Sequence, residues 1–255
     1  KKGPRITYGS SVLIHAHTWL NDSLVQSSRR DFGEAREFTL PDSIAMSQRT
    51  VAIFDGLRLL TTGDSATILQ TVDSMLAKQI PPEFGVVKVI RYEVKVMDVL
   101  TPEKKATREK QAEAKRKKVQ AKEAKVGKTV EKYLADYNAG KLKKKLKKTD
   151  SGLEYVIIKQ GKGARVKEGD KVATHYYGVL KSDGVMFDNS YSRGESIKFE
   201  VGSLIPGFNE GMTLVNEKGG VTILFIPFSL GYGVDGSGPI PPSADLVFYI
   251  SFEEN

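Results

Sequence analysis

The chain contains no cysteine, which excludes disulfides and thiolate metal sites. It has three histidines, His15, His17 and His175, too scattered for a metal centre, so no metal ligand set is expected. No stretch approaches the roughly 18 consecutive apolar residues of a membrane span. GxSxG, Walker-type loops, HExxH and closely paired carboxylates are also missing, leaving hydrolase, nucleotide and metalloprotease chemistry without support. What is present, 40% apolar and 27% charged residues over 255 positions, is ordinary globular composition with room for two domains.

Charge is distributed unevenly. Residues 103–148 carry a net +12, residues 149–255 a net −5 and residues 1–102 a net +1, so the overall +8 belongs to one segment. That segment is rich in Ala, Lys, Glu and Gln, all strong helix formers. Pro102 suits a first helical turn and Gly140 a stop, which predicts a helix of about 35 residues, roughly 50 Å long. Its apolar seam (Val119, Val126, Val130, Tyr133, Leu134, Tyr137) occupies only the second half, and Gly127 is the expected kink. The first half, polar all round, reads as a solvated spacer. Contact with anionic lipid or nucleic acid is the competing reading, since LKKKLKK resembles a surface-binding stretch, and a client-contacting or dimerising helix is the third. The basic half has no stacking aromatics and only two Arg, so no nucleic acid is expected as a partner.

Beyond the helix, SGLEYVIIKQG begins a series of short strands punctuated by turns, among them Asp183-Gly184, a hairpin signal. PGFNEGMTLV is the one short helix there and LVFYISF the closing strand. The pattern is α+β, an antiparallel sheet with one helix across it. The first hundred residues repeat it in order. SSVLIHAHTWLNDS matches DKVATHYYGVLKSD, FDGLRLLTTGDSATIL matches NEGMTLVNEKGGVTIL, Ile80-Pro81-Pro82 matches Ile240-Pro241-Pro242, and VIRYEVKVM matches DLVFYISFE. Four matches in one order indicate an internal duplication.

Between His175 and Phe248 the second half spaces aromatic and apolar residues around one acid: HYYG at 175–178, DGVMFDNS at 183–190, LIPGFNEG at 204–211, IPFSLGYG at 226–233 and IPPSADLVF at 240–248. Such residues suit an apolar pocket with few polar groups, a better match to a prolyl ring than to a sugar, phosphate or metal. Taken singly, Phe187, Phe199 and Phe248 read as core, Asp188 as a turn acid and His175 as a structural strand residue.

At these motifs, over about residues 150–255, the chain resembles the FKBP-type peptidyl-prolyl cis-trans isomerases. The resemblance implies two FKBP-like antiparallel sheets, each wrapped on a short helix and joined by the long basic helix. The expected domains are a degenerate FKBP-like domain at 1–101, a helical linker at 102–148 and an isomerase domain at 149–255. It further implies a catalytic set of Tyr176, Phe187, Asp188, Ile205, Phe208, Tyr232 and Phe248. Leu204, Phe199, Ile197, Arg193 and Ile240 complete the substrate wall, with Arg193 near the acid and the Ile205 N–H and Tyr232 hydroxyl as donors. Implied partners are proline-containing protein clients and the family's macrolide inhibitors; no cofactor is implied. The TDSGLEYVIIKQGKG lead-in resembles bacterial envelope members, which implies a periplasmic or envelope-anchored lipoprotein, tethered to a membrane surface through a leader already removed.

The sequence departs from the family at several positions. Phe208 stands where Trp is usual, Ile197 where an aromatic is common and Ser237 near a frequent His. The first copy departs further: Ala16 stands opposite Tyr176, Val25 opposite Phe187 and Gln26 opposite Asp188. The segment from Leu69 to Ile80 is five residues shorter than its counterpart, which removes the GYG loop. The first copy is therefore expected to fold without catalysing. Two functions stand side by side: an isomerase that assists folding of its clients, and a non-catalytic chaperone or binding module that uses both copies and the helix.

Overall fold

Period-two alternation of apolar residues builds two antiparallel sheets. In the computed structural model, which describes residues 3–42, 52–215 and 219–253, these sheets belong to two units, Lys1–Lys110 and Gln111–Asn255. Residues 216–218, in the middle of one repeat match, lie outside the described residues.

The first unit contains β1 (Ser11–Leu20), β2 (Ser23–Ser27), the one-turn helix α1 (Ser28–Phe32), β3 (Arg36–Thr39), α2 (Ala52–Arg58), β4 (Ser65–Thr71), α3 (Ser74–Ala77) and β5 (Val89–Leu100). Its strand order is β2-β1-β5-β4, with β3 also pairing β1. Val12, Ile14, Leu57, Ile68, Val94 and Val96 form the core between sheet and α2. The opposite face carries His15, His17, Glu93, Lys95, Ser65 and Thr67, which need no cover.

Two helices follow, α4 (Pro102–Gln120) and α5 (Glu123–Asn138). The break therefore falls at residues 121–122 and not at Gly127. Gly127 lies inside α5, where a Cβ would stand 3.2 Å from the Tyr177 hydroxyl; its role is close helix–sheet packing. The segment 102–148 is also not a free spacer throughout. The unit boundary falls within α4, and Val119, Val126, Val130 and Leu134 are buried with Ile223, Phe225 and Val247 in one apolar cluster. Leu142 is buried and Leu146 packed in the same cluster, so the leucines of LKKKLKK face the protein's own core and not a membrane surface.

The second unit continues with β6 (Lys147–Lys148), β7 (Glu154–Lys159), β8 (Lys171–Leu180), β9 (Met186–Asn189), β10 (Ile197–Glu200), α6 (Pro206–Met212), β11 (Val221–Ile226) and β12 (Leu246–Phe252). Strand order is β10-β8-β12-β11-β7-β6, with β9 on β8. Removing β6 and β7 leaves the topology of the first unit. Alternate residues of β8, β11 and β12 enter two different cores: Tyr176, Leu224, Ile226, Phe248 and Ile250 face α6, while Val179, Ile223, Phe225 and Val247 face α5.

The two units agree at atomic detail. His15 Nδ1 lies 3.0 Å from Ser28 Oγ, which also accepts the Ala16 N–H at 3.0 Å. His175 Nδ1 lies 3.1 Å from Ser190 Oγ, which accepts the Tyr176 N–H at 3.0 Å. One detail of the sequence match changes. Its ATIL/VTIL overlay sets Leu69 against Leu224, but Ile68 pairs with Tyr92 as Leu224 pairs with Phe248. Ile68 is accordingly 9% exposed and Leu69 62%. A one-residue slip exchanges the faces of a strand, and burial selects the register.

Each unit brings its core helix against the sheet through a glycine. A Cβ on Gly56 would lie 2.4 Å from Ile68 Cδ1, and one on Gly211 2.2 Å from Leu224 Cδ1. Overpacking costs about 1–3 kcal/mol, against up to about 1 kcal/mol of helix propensity gained by Ala. Gly56→Ala and Gly211→Ala are therefore each expected to destabilise by roughly 1–2 kcal/mol, measured by denaturant unfolding. An unchanged midpoint in either variant would show that the helix can shift without cost.

Candidate functional site

The inner face of the second sheet does not close over α6. A cavity of about 680 Å³ opens there, lined by Tyr176, Phe187, Asp188, Ile197, Leu204, Ile205, Phe208, Tyr232, Ile240 and Phe248, with Ser203 and residues 237–239 at its rim. The hairpin of β8 and β9 supplies Tyr176, Phe187 and Asp188. The start of α6 supplies Ile205 and Phe208, and β12 supplies Phe248.

Four rings meet edge to face in three pairs around the floor. Phe208 and Phe248 are 5.2 Å apart at 89°, Phe187 and Phe248 5.4 Å at 80°, and Tyr176 and Phe208 6.3 Å at 86°. Such geometry aligns the positive ring edge with the negative face of its neighbour. It requires Gly178: a Cβ there would lie 2.6 Å from Phe187 and 2.8 Å from Phe248.

One polar network borders this apolar floor. The Tyr176 hydroxyl donates to Asp188 Oδ2. Arg193 donates from one guanidinium nitrogen to Asp188 Oδ1 at 2.6 Å and from the other to the Tyr176 hydroxyl oxygen at 2.6 Å. Burial, reinforced by the hydrogen bond to the Asp188 carboxylate, pushes the Tyr176 phenol up to about 12. Burial acts against the Asp188 carboxylate, but hydrogen bonds from Tyr176 and Arg193 and the Arg193 charge outweigh it, leaving its pKa lowered. Burial and the Asp188 charge also raise the Tyr232 phenol. At neutral pH the site thus holds an ionised acid and neutral phenols.

Backbone groups complete the outline. The Ile205 residue precedes Pro206, the first residue of α6, and its N–H makes no hydrogen bond to the described residues. Asn209 fixes the approach to it, donating to Leu204 O at 2.6 Å and accepting from the Gly202 and Leu204 N–H groups at 3.0 and 3.3 Å. Asp245 Oδ1 accepts the Phe228 N–H at 2.9 Å and so anchors the loop carrying Tyr232.

Of the twelve residues singled out in the sequence, all but Phe199 and Arg193 line the cavity. Phe199 sits behind the floor, 5.9 Å from the Phe208 ring, as a buttress. Arg193 reaches the site only through Asp188 and Tyr176. His175 is buried, stacked on Tyr191, away from this face of the sheet. Sequence reasoning missed Gly178, Asn209 and Asp245. Each stood within a quoted motif, but their contacts join segments distant in sequence or turn on the exact packing of rings.

In the first unit the same register places Gln26 where Asp188 stands, since Thr18 pairs Gln26 as Gly178 pairs Asp188. Thr18, at the position of Gly178, carries the side chain that the edge-to-face rings of the second unit exclude, and Ala16 offers no phenol.

Comparison with known proteins locates the likeness in the second unit. Residues 162–253 match the family described as FKBP-type peptidyl-prolyl cis-trans isomerase. An FKBP-type peptidyl-prolyl cis-trans isomerase FkpA of Aeromonas hydrophila is 44% identical over 118 residues, covering 46% of this chain and 42% of the relative. FkpA of Escherichia coli strain K12 is 44% identical over 105 residues, covering 41% of this chain and 38% of the relative. The chain thus spans about two fifths of the length of these relatives. A crystal structure of FkpA from Escherichia coli is 35% identical, covering 62% of this chain and 74% of that one, with a TM-score of 0.43.

The network has measurable titration behaviour. Absorbance titration of the phenols, with Tyr176→Phe as the difference control, is expected to place Tyr176 near 12. Asp188→Asn is expected to move it downward, because the carboxylate favours the neutral phenol. The lowered folded-state pKa of Asp188 adds stability that is present above its unfolded value of about 3.9. That stability is lost as pH falls through the folded value. Asp188→Asn should therefore flatten the acid limb of the stability curve; an unchanged limb would mean that the network carries no net linkage.

Proposed function

We propose, from the match of residues 162–253 to the FKBP-type peptidyl-prolyl cis-trans isomerase family, that the second unit interconverts cis and trans X–Pro bonds in protein clients and so assists their folding. The observation that carries this reading is the Tyr176–Asp188–Arg193 network set beside a floor of edge-to-face aromatic rings, with Ile205, whose N–H makes no hydrogen bond to the described residues, in the same lining.

Rotation about an X–Pro bond is slow because amide resonance raises a barrier of about 18–20 kcal/mol. No bond to carbon is made or broken, so no nucleophile or cofactor is required. In the twisted state resonance is lost and the carbonyl is less polar. A dry pocket of Phe208, Phe248 and Phe187 therefore disfavours the planar amide more than the twisted one. The prolyl ring packs on Phe208, the Ile205 N–H and Tyr232 hydroxyl hold client carbonyls, and Asp188 presents fixed negative charge near the rotating amide while aligning Tyr176. A millionfold acceleration corresponds to about 8 kcal/mol, divided among desolvation, ring packing and these hydrogen bonds. Phe208 in place of Trp keeps the floor apolar but offers no indole donor. The same pocket is proposed to accept the family's macrolide ligands.

The first unit is proposed to be a duplicated copy without catalysis. Ala16, Thr18, Val25 and Gln26 replace the phenol, the ring clearance, one ring and the acid. The same replacements support a second reading for that unit, a binding module for clients. We also propose a bacterial envelope location, supported by the TDSGLEYVIIKQGKG lead-in; no helix among the described residues is long and apolar enough to cross a membrane.

The decisive experiment is a prolyl-isomerisation assay on the full chain with peptide and refolding-protein substrates. Asp188→Ala removes charge-assisted hydrogen bonds of about 1.5–3 kcal/mol, so kcat/KM should fall about 10- to 100-fold. Gln26→Ala, its counterpart in the first unit, should leave the rate unchanged. A wild-type rate no higher than the uncatalysed one would end the enzyme reading, and turnover that survives Asp188→Ala but not Gln26→Ala would move catalysis to the first unit.

A further inference from the structure

Arg193 engages the candidate site with both arms of its guanidinium, one on Asp188 and the other on the Tyr176 hydroxyl. Its side chain is nonetheless 47% exposed, so burial does not hold it in that orientation. A free arginine side chain carries about 2 kcal/mol of rotamer entropy. Its two-armed contact is therefore sensitive to any play in the backbone that bears it. That backbone is a loop between β9 and β10, outside both strands.

The basic segment fixes this loop. In the last two turns of α4, within the second unit, Gln120 Nε2 donates to Ser192 O at 2.9 Å and Arg116 Nε to Arg193 O at 3.0 Å. The peptide groups on both sides of the Arg193 Cα are thus held by residues i and i+4 of one helix face. Gly194 permits the approach. It is buried and turns at φ 73°, and a Cβ there would lie 2.3 Å from Arg116 Cγ and 3.0 Å from Arg116 O.

The other end of the loop is held from across the helix break. Asn189, 2% exposed, donates to Glu123 Oε1 at 3.1 Å, while its own Oδ1 accepts the Ser192 N–H at 2.7 Å. Gln120 ends α4 and Glu123 begins α5, so both sides of the break meet the segment that carries Arg193. Neither Arg116 nor Gln120 lines the cavity.

We infer that Arg116 and Gln120 are positioning residues of the site: they fix the loop backbone so that Arg193 engages Asp188 and Tyr176 together. The kinetic consequence rests on the isomerase reading of the cavity; the electrostatic one does not. Without the two donors, Arg193 samples other rotamers, and both the Asp188 charge and the Tyr176 hydroxyl lose a fixed partner.

The test uses the full chain with Arg116→Met and Gln120→Met together, which keep unbranched, helix-forming side chains and remove both donors. Two quantities are measured: the Asp188 carboxylate titration, by carbon NMR, and kcat/KM for prolyl isomerisation. The Asp188 pKa is expected to rise, since hydrogen bonding and charge from Arg193 help to lower it. The rate should fall about three- to tenfold. In a chain that already carries Arg193→Ala, the same two substitutions should cost nothing more, because groups acting through one residue are not additive. Lys117→Met, which removes an exposed charge from the same helix, should alter neither quantity. An Asp188 titration unchanged in the double variant would overturn the inference, whether or not the chain isomerises proline. An equal loss of rate in the Arg193→Ala chain would overturn it too, since the helix would then act on the fold and not through Arg193. Absence of turnover in the wild type would end the isomerase reading alone, with the Asp188 titration still deciding the positioning role.

Discussion

The second sheet is apolar on both faces, and most of what distinguishes this protein follows from that constraint. Successive residues of β11 and β12 enter different cores, so the sheet requires a cover on each side. α6 covers one face and α5 the other. Because α6 has only seven residues, it leaves part of its face open, and the aromatic cavity lies in that opening. The first sheet has polar residues on its outer face, so only the face toward α2 needs a cover. The basic segment is therefore more than a spacer: its second half provides the other cover of the isomerase-like unit, while its lysines remain solvated.

Within the cavity, apolar and polar parts depend on each other. The ring cluster lowers the local dielectric, which strengthens the hydrogen bonds of Asp188 and holds the phenols neutral. The network in turn fixes Tyr176 and Asp188 beside the floor. Gly178 joins the two, since only the missing side chain lets Phe187 and Phe248 meet. The first unit carries neither part: Thr18 stands at the position of Gly178, Ala16 at that of Tyr176 and Gln26 at that of Asp188.

Much of this was legible in the sequence because the informative residues lie in local motifs. FD at 187–188, IPGF at 205–208 and GYG at 231–233 each bring two or more pocket residues together within one turn or strand end, so their chemistry could be read directly. The repeat was legible for the same reason, through strand-length matches in one order. The errors have physical causes. Gly127 reads as a hinge from helix propensity, yet its position is set by Tyr177 on another element. Phe199 reads as a wall residue, but strand direction turns it behind Phe208. Leu69 matches Leu224 by type, and only burial of Ile68 shifts the register by one.

The sequence by itself determined the α+β class, the recurring order of elements in the two halves, the types of residue that make an apolar pocket beside one acid, and the absence of that set from the first half. These depend on periodicity and on residues adjacent in the chain. The tertiary structure alone decided where the helix breaks, which face α5 covers, and which aromatics line the cavity and which support it. Those outcomes arise from contacts between segments far apart in sequence. There, packing volume and strand pairing choose among local alternatives that are nearly equal in energy.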